Sequence, residues 1–145
     1  MSEIIPSIYF IVSAKMLIAT IVGGIIGYDR AKTGKAAGIK THSMVCLGSC
    51  TVMIIGALTA HMYDSDPTRL AAQVVSGIGF LCAGVIILTQ SNEIKGLTTA
   101  AGLWLAACMG LCIGSDFAWV AIPACICYFL IARGFLMIEN KLISK

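Results

Sequence analysis

"SGIGFLCAGVI", residues 76–86, carries three glycines and no charge. In a helix exposed to water each glycine costs about 1 kcal/mol against alanine. In lipid the balance changes, because small residues let helix backbones approach closely where packing replaces the hydrophobic drive. The solvent around this stretch therefore decides what its glycines do. Composition identifies that solvent. The 145 residues are 59% hydrophobic and 12% charged, with a mean hydropathy of +0.94, whereas a soluble domain carries about a quarter charged residues. The chain reads as one membrane domain over residues 1–145, with the lipid bilayer as its first partner.

Outward from 76–86, five apolar segments each approach the roughly 20 residues needed to cross a bilayer. They run about 6–28, 42–62, 69–90, 97–114 and 117–138. The alternation of a membrane barrel is absent, so the expected fold is all-α, a polytopic bundle of five transmembrane helices. Basic residues orient it. Arg30, Lys32, Lys35, Lys40, Lys95, Arg133, Lys141 and Lys145 fall on one side and only Arg69 on the other. The basic side is expected to be cytoplasmic, with the N-terminus outside and the C-terminus inside. The first segment contains Lys15 and no small-residue cleavage site, and reads as a retained span. The net charge of +3 resides in these loops and points to anionic lipid, with no nucleic acid as partner.

On a helical wheel, Gln73, Gly77, Leu81 and Gly84 share one face of the third span. Ala72, Ser76, Gly79 and Ala83 share a roughly opposite face, with Val74, Val75, Ile78, Cys82 and Val85 between them. Two small faces predict neighbours on both sides, so the third span is expected at the centre with its aliphatic strip toward lipid. Gly23/Gly27 and Gly110/Gly114 repeat the same small-xxx-small spacing in the first and fourth spans.

The stretches "GGIIGYDR" (23–30), "AAGIKTHSMVCLGS" (36–49), "DPTRLAAQVVSGIGFLCAGVI" (66–86) and "KGLTTAAGLW" (95–104) resemble, in order, the motifs of the MgtC/SapB family of bacterial membrane proteins. Three positions depart from that pattern: Cys82 stands for a third glycine, Lys40 for an arginine, and Asp29 for a glutamate. The chain is similar to the short form without an appended cytoplasmic domain. The resemblance implies a bacterial inner-membrane protein tied to growth at low Mg²⁺, acid stress and survival in host phagocytes. It also implies the rotary ATP synthase as a target, and no transport of Mg²⁺ by the protein itself.

Few residues carry chemistry. Lys15 lies nine residues into the first span, where a lone ammonium costs about 3 kcal/mol or more. It can snorkel outward to Gln73, Asp66 or Asp116, as a functional charge or simply as an anchor. Asp66 before Pro67 fits a helix cap followed by proline at the first position. Arg69, in the positive first turn of that helix, calls for Asp66 or Asp116 as a partner. His61, Asp64 and Asp66 are the metal candidates, suited to hydrated Mg²⁺ or to sensing acid through His61. No other cofactor is indicated. The loop 29–41 sets topology or contacts phospholipid through residues such as Lys40. Asp29 and Arg30, adjacent at the helix end, are expected to pair with residues near Thr98 and Thr99, which open the fourth span on the same side. His42 reads as structural, and Trp104 and Tyr128 fall mid-span, where their polar atoms want partners in the bundle. Seven cysteines lack metal-site spacing.

No nucleophile–base pair or phosphate loop is present, so an enzyme is not expected. Two classes remain. The first is a regulator or interaction protein, working as a homo-oligomer or on a membrane partner. The second is a small ion or solute transporter or channel, also oligomeric because five short spans enclose little volume. No carboxylate lies in the interior of a span, which favours the first.

Overall fold

Glycines and polar residues, more than the ends of apolar runs, decide where the helices stop. A computed structural model describes residues 4–88 and 93–134. The expected span ends at 89–90 and 135–138, and the basic residues Lys141 and Lys145, lie outside the described residues. Helix α1 (Ile4–Lys32) has 29 residues, about 43 Å at 1.5 Å per residue. That exceeds a hydrocarbon core of about 30 Å, so its last turn, with Arg30 and Lys32, can emerge from it. Gly34, with φ +66°, turns the chain, and α2 (Ile39–Tyr63) follows. Asp64 ends α2 in the left-handed region at φ 48°, its N–H donating to the Ala60 carbonyl. Aspartate is one of the few side chains that tolerates this conformation.

Helix α3 (Thr68–Gly84) stops six residues short of the expected 90. Beyond it, β1 (Ile87–Leu88) and β2 (Ile94–Lys95) pair antiparallel, with Ile87 opposite Lys95 and Leu88 opposite Ile94. Gly96 then packs at φ +98° on the Val85 carbonyl, leaving no room for a Cβ, and α4 (Leu97–Gly114) begins. The β-branched run Val85-Ile86-Ile87 favours this return over helix. A 3₁₀ turn (Ala118–Val120) leads into α5 (Ala121–Phe129), followed by a π-helical turn (Leu130–Gly134). Pro123 sits in the first turn of α5, where a missing N–H costs little. The all-α architecture holds, with five α-helices among the described residues. Among the described residues α1, α2 and α4 are long and apolar enough to cross a membrane, while α3 and 118–134 are shorter apolar helices.

The centre of the bundle is α2, not α3. A Cβ on Gly23 would lie 2.5 Å from the His42 carbonyl, and one on Gly27 would lie 2.6 Å from Ile39 Cα, both on α2. From the opposite side, Gly110 packs onto the Cys46 carbonyl, and a Cβ on Gly114 would lie 2.5 Å from that of Cys50. Two small-xxx-small pairs thus clamp one helix. Ala19, Ile26, Cys46, Cys50, Ala106, Met109 and Ile113 fill the core between them.

Helix α3 lies on the rim and has no buried residue. Among the described residues, no atom beyond its own helical turns lies within 4 Å of where a Cβ on Gly77, Gly79 or Gly84 would sit. The expected orientation is reversed: Val74, Ile78, Cys82 and Val85 are half-buried toward the bundle, while Phe80 is 90% exposed. Cys82 Sγ lies 3.3 Å from the Ala100 carbonyl of α4. In lipid both faces are apolar, so periodicity cannot choose between them. Here the larger aliphatic side chains fill the inter-helix space. Trp104 likewise faces outward instead of into the bundle.

Candidate functional site

The densest polar chemistry lies at the basic end, where α1, α2, α4 and α5 meet. Asp29 and Arg30 close α1 and are both buried. Arg30 Nη2 donates to Asp29 Oδ2 at 3.1 Å. Arg133 donates to the other oxygen, Oδ1, from Nε at 3.2 Å and Nη2 at 3.1 Å. Arg133 stands on the π-helical turn, a wider turn that re-aims side chains and recurs at functional sites. One carboxylate therefore holds two guanidinium groups, leaving a net charge of +1. The Arg30 guanidinium also lies 5.9 Å from the Tyr128 ring centroid, and that of Arg133 lies 5.9 Å from Phe129.

His42 is fully buried beside this triad, its Nδ1 3.0 Å from the Gly38 carbonyl. A proton on Nδ1 makes that bond and leaves Nε2 as the acceptor. Gly102 of α4 opens the space between the rings: a Cβ there would lie 3.5 Å from His42 Nε2 and 3.9 Å from Tyr128 Cε2. Among the described residues, Arg30 Nε, His42 Nε2 and Tyr128 Oη are buried without a hydrogen-bond partner. Thr99 is buried at the same end and Thr98 is exposed. The expected pairing of Asp29 and Arg30 with residues near these threonines gives way to Asp29 with Arg30 and Arg133. Lys40 is exposed on the first turn of α2. Sequence reading passed over Arg133 as a topology signal. Its position one turn beyond Phe129, on the last apolar segment, was the available clue.

Lys15 marks the opposite end. Its Nζ donates to the carbonyls of Gly114 at 3.0 Å and Ser115 at 2.9 Å, and lies 3.7 Å from Asp116. Of the three expected partners, only Asp116 is near it; Gln73 and Asp66 are exposed on α3 and its cap. A lysine against a helix C-terminus satisfies orphan carbonyls and the helix dipole together. It borders a cavity of about 500 Å³ with Met53, Leu58, Leu111 and Phe117 among its walls. Lys15→Met is expected to lower stability by about 1–2 kcal/mol, read as a lower melting temperature in detergent. An unchanged melting temperature would show that the cap contributes nothing.

The loop between α2 and α3 resolves differently from the metal expectation. Among the described residues, no three His, Cys, Asp or Glu side chains gather as metal ligands. His61, Asp64 and Asp66 are thus not gathered into a three-ligand group. Asp64 serves as the left-handed helix stop. Asp66 Oδ1 accepts from the Thr68 backbone N–H at 2.8 Å and its hydroxyl at 2.7 Å, as a cap before Pro67 does. These bonds hold the Asp66 carboxyl below its usual range. A depressed folded pKa stabilises above the unfolded pKa, and the contribution is lost as pH falls through the folded value. Asp66→Ala is thus expected to melt slightly lower than the parent at pH 7, with the gap closing in acid below the ordinary aspartate range. Arg69 is exposed and forms no ion pair with Asp66 or Asp116. The cysteines are free thiols.

A family model described as "MgtC family" matches residues 16–141. The chain belongs to the MgtC family. It is 36% identical over 137 residues to the Escherichia coli K12 protein named "Putative magnesium transporter YhiD", covering 90% of this chain and 63% of that one. It is 43% identical over 97 residues to "Protein MgtC" of Brucella abortus strain 2308, covering 67% and 40%. It is 39% identical over 109 residues to "Protein SapB" of Bacillus subtilis strain 168, covering 71% and 47%. The chain thus spans about half the length of these relatives. No solved structure matches it. With the family and the three long apolar helices together, this is a membrane protein of the MgtC family. Of the four MgtC-like stretches, three meet at the basic end: 23–30 supplies Asp29 and Arg30, 36–49 supplies His42, and 95–104 supplies Thr99 and Gly102. The fourth, 66–86, forms α3.

Proposed function

We propose that this MgtC-family chain is a non-enzymatic, multi-pass protein of the bacterial inner membrane, basic end inward, that regulates by binding other membrane proteins. The observation that carries this reading is α3. Three glycines in a 17-residue helix cost about 1 kcal/mol each, and among the described residues no close contact recovers that cost. Transmembrane helices packed on its two small faces, Gly77 with Gly84 and Gly79 opposite, would recover it by close approach. The polar groups support the same reading. Asp29 is held by two arginines and Lys15 by the end of α4, and a packed layer of Cys46, Cys50, Ala106 and Met109 separates them. Asp29 is the one buried carboxylate among the described residues, and both its oxygens already face arginines, whereas Asp116 beside Lys15 is fully exposed outside the helices.

The partner is a second copy of the chain or, as the MgtC/SapB resemblance implies, a membrane subunit of the ATP synthase. The physiological setting is growth under Mg²⁺ limitation, acid or host-survival stress. A photo-reactive residue in place of Phe80 should give a crosslinked band whose mass distinguishes the two. Gly77→Leu with Gly79→Leu should keep normal membrane levels and melting temperature yet lose both the crosslink and growth at low Mg²⁺. Full complementation by that double variant would overturn the reading. The name of the Escherichia coli relative favours a second reading, an oligomeric transporter or channel for an ion or small solute.

A further inference from the structure

A groove opens at the basic end between α1, the start of α2 and the end of α5. Its walls include Ile21, Ile25, Tyr28, Ile39 and Phe129, Gly24 widens it, and its volume is about 460 Å³. The walls are apolar, with Phe129 half-buried and Ile21, Ile25, Tyr28 and Ile39 exposed on the outside of the bundle, where lipid surrounds a membrane protein. One end is different: Asp29 and Arg133 line it. We propose that this groove binds one anionic phospholipid, an acyl chain along the apolar walls and the phosphate on Arg133.

Charge selects the headgroup. Asp29 neutralises only one of the two arginines it touches, so the groove's polar end carries +1. Arg30 is 4% exposed, so the surplus charge is presented by Arg133, whose side chain is 63% exposed. Two of its five N–H groups go to Asp29 Oδ1. The guanidinium fork can give the rest to phosphate oxygens in paired geometry. Its contact with Phe129 fixes the fork at the groove mouth. A zwitterionic lipid offers the same phosphate with a cation beside it, which Arg133 and the neighbouring basic loop repel. The site at Lys15 is not equivalent, because that ammonium already faces two carbonyls and Asp116.

Native mass spectrometry of the purified full chain, with dioleoylphosphatidylglycerol or dioleoylphosphatidylcholine added, tests this directly. Phosphatidylglycerol adducts should exceed phosphatidylcholine adducts several-fold. Arg133→Gln should reduce them to the phosphatidylcholine level with the melting temperature held, because Arg30 still pairs Asp29. Ile21→Trp, which fills the groove without changing charge, should reduce both lipids. Equal binding of the two lipids, or a preference unchanged in Arg133→Gln, would overturn the proposal. So would competition by inorganic phosphate at the same concentration, which would make this a phosphate site without a lipid tail. A variant ending at Gly134 that binds several-fold more lipid would also overturn it, by showing that residues 135–145 occupy the groove in the full chain.

Discussion

Gly110→Ala is expected to destroy the folded bundle. The added methyl would meet the Cys46 carbonyl and stand 2.9 Å from Ser49 Cβ. Neither can yield without moving α2, because Gly23 and Gly27 hold its other side on the His42 carbonyl and Ile39 Cα. Overpacking of a tight core costs roughly 1–3 kcal/mol and sometimes more. Backbone-to-backbone contact on a helix held from both sides places this case at about 3 kcal/mol or above. Gly77→Ala and Gly79→Ala meet nothing within 4 Å and gain up to about 1 kcal/mol of helix propensity each. Size-exclusion melting of tagged protein should show the first variant aggregated or many degrees lower and the other two at or above the parent. The reverse ranking would restore α3 to the centre.

Asp29→Ala is the second large effect. Arg30 is 4% exposed and loses the carboxylate that justifies its burial. Removing one member of a buried pair costs about 3–5 kcal/mol. Arg133→Gln should cost less than about 1 kcal/mol, since its side chain is largely exposed. The double variant Asp29→Leu with Arg30→Met should recover part of the loss, because an apolar pair no longer strands a charge. Asp29→Ala melting like the parent would mean that Arg30 reaches water, contrary to the geometry described.

Much of this architecture was legible in the residues. The glycine pairs of α1 and α4 have the spacing of close-packed membrane helices, and they are the clamp on α2. Asp66 and Pro67 read correctly as a helix start because capping is local chemistry. The placement of α3 was not legible. Its spacing specifies that a small face exists, but the identity of the neighbour is tertiary information, and lipid does not penalise either rotation. The basic-end cluster was half legible for the same reason. Asp29 and Arg30 stand out as charges at a helix end, whereas their meeting with Arg133 depends on a π-helical turn 104 residues away. His42 and Tyr128 gave only a weak signal, polar groups on apolar helices, and only packing shows that both face Gly102.

Asp29 and Lys15 are each held in place by partners at opposite ends, so the layer between them is expected to conduct nothing. Mg²⁺ entry into proteoliposomes holding an indicator dye tests it most directly. Vesicles with the parent chain should fill no faster than protein-free vesicles, and Lys15→Met should change nothing. Mg²⁺ entry above that background, abolished by Lys15→Met, would contradict the account and favour a transporter.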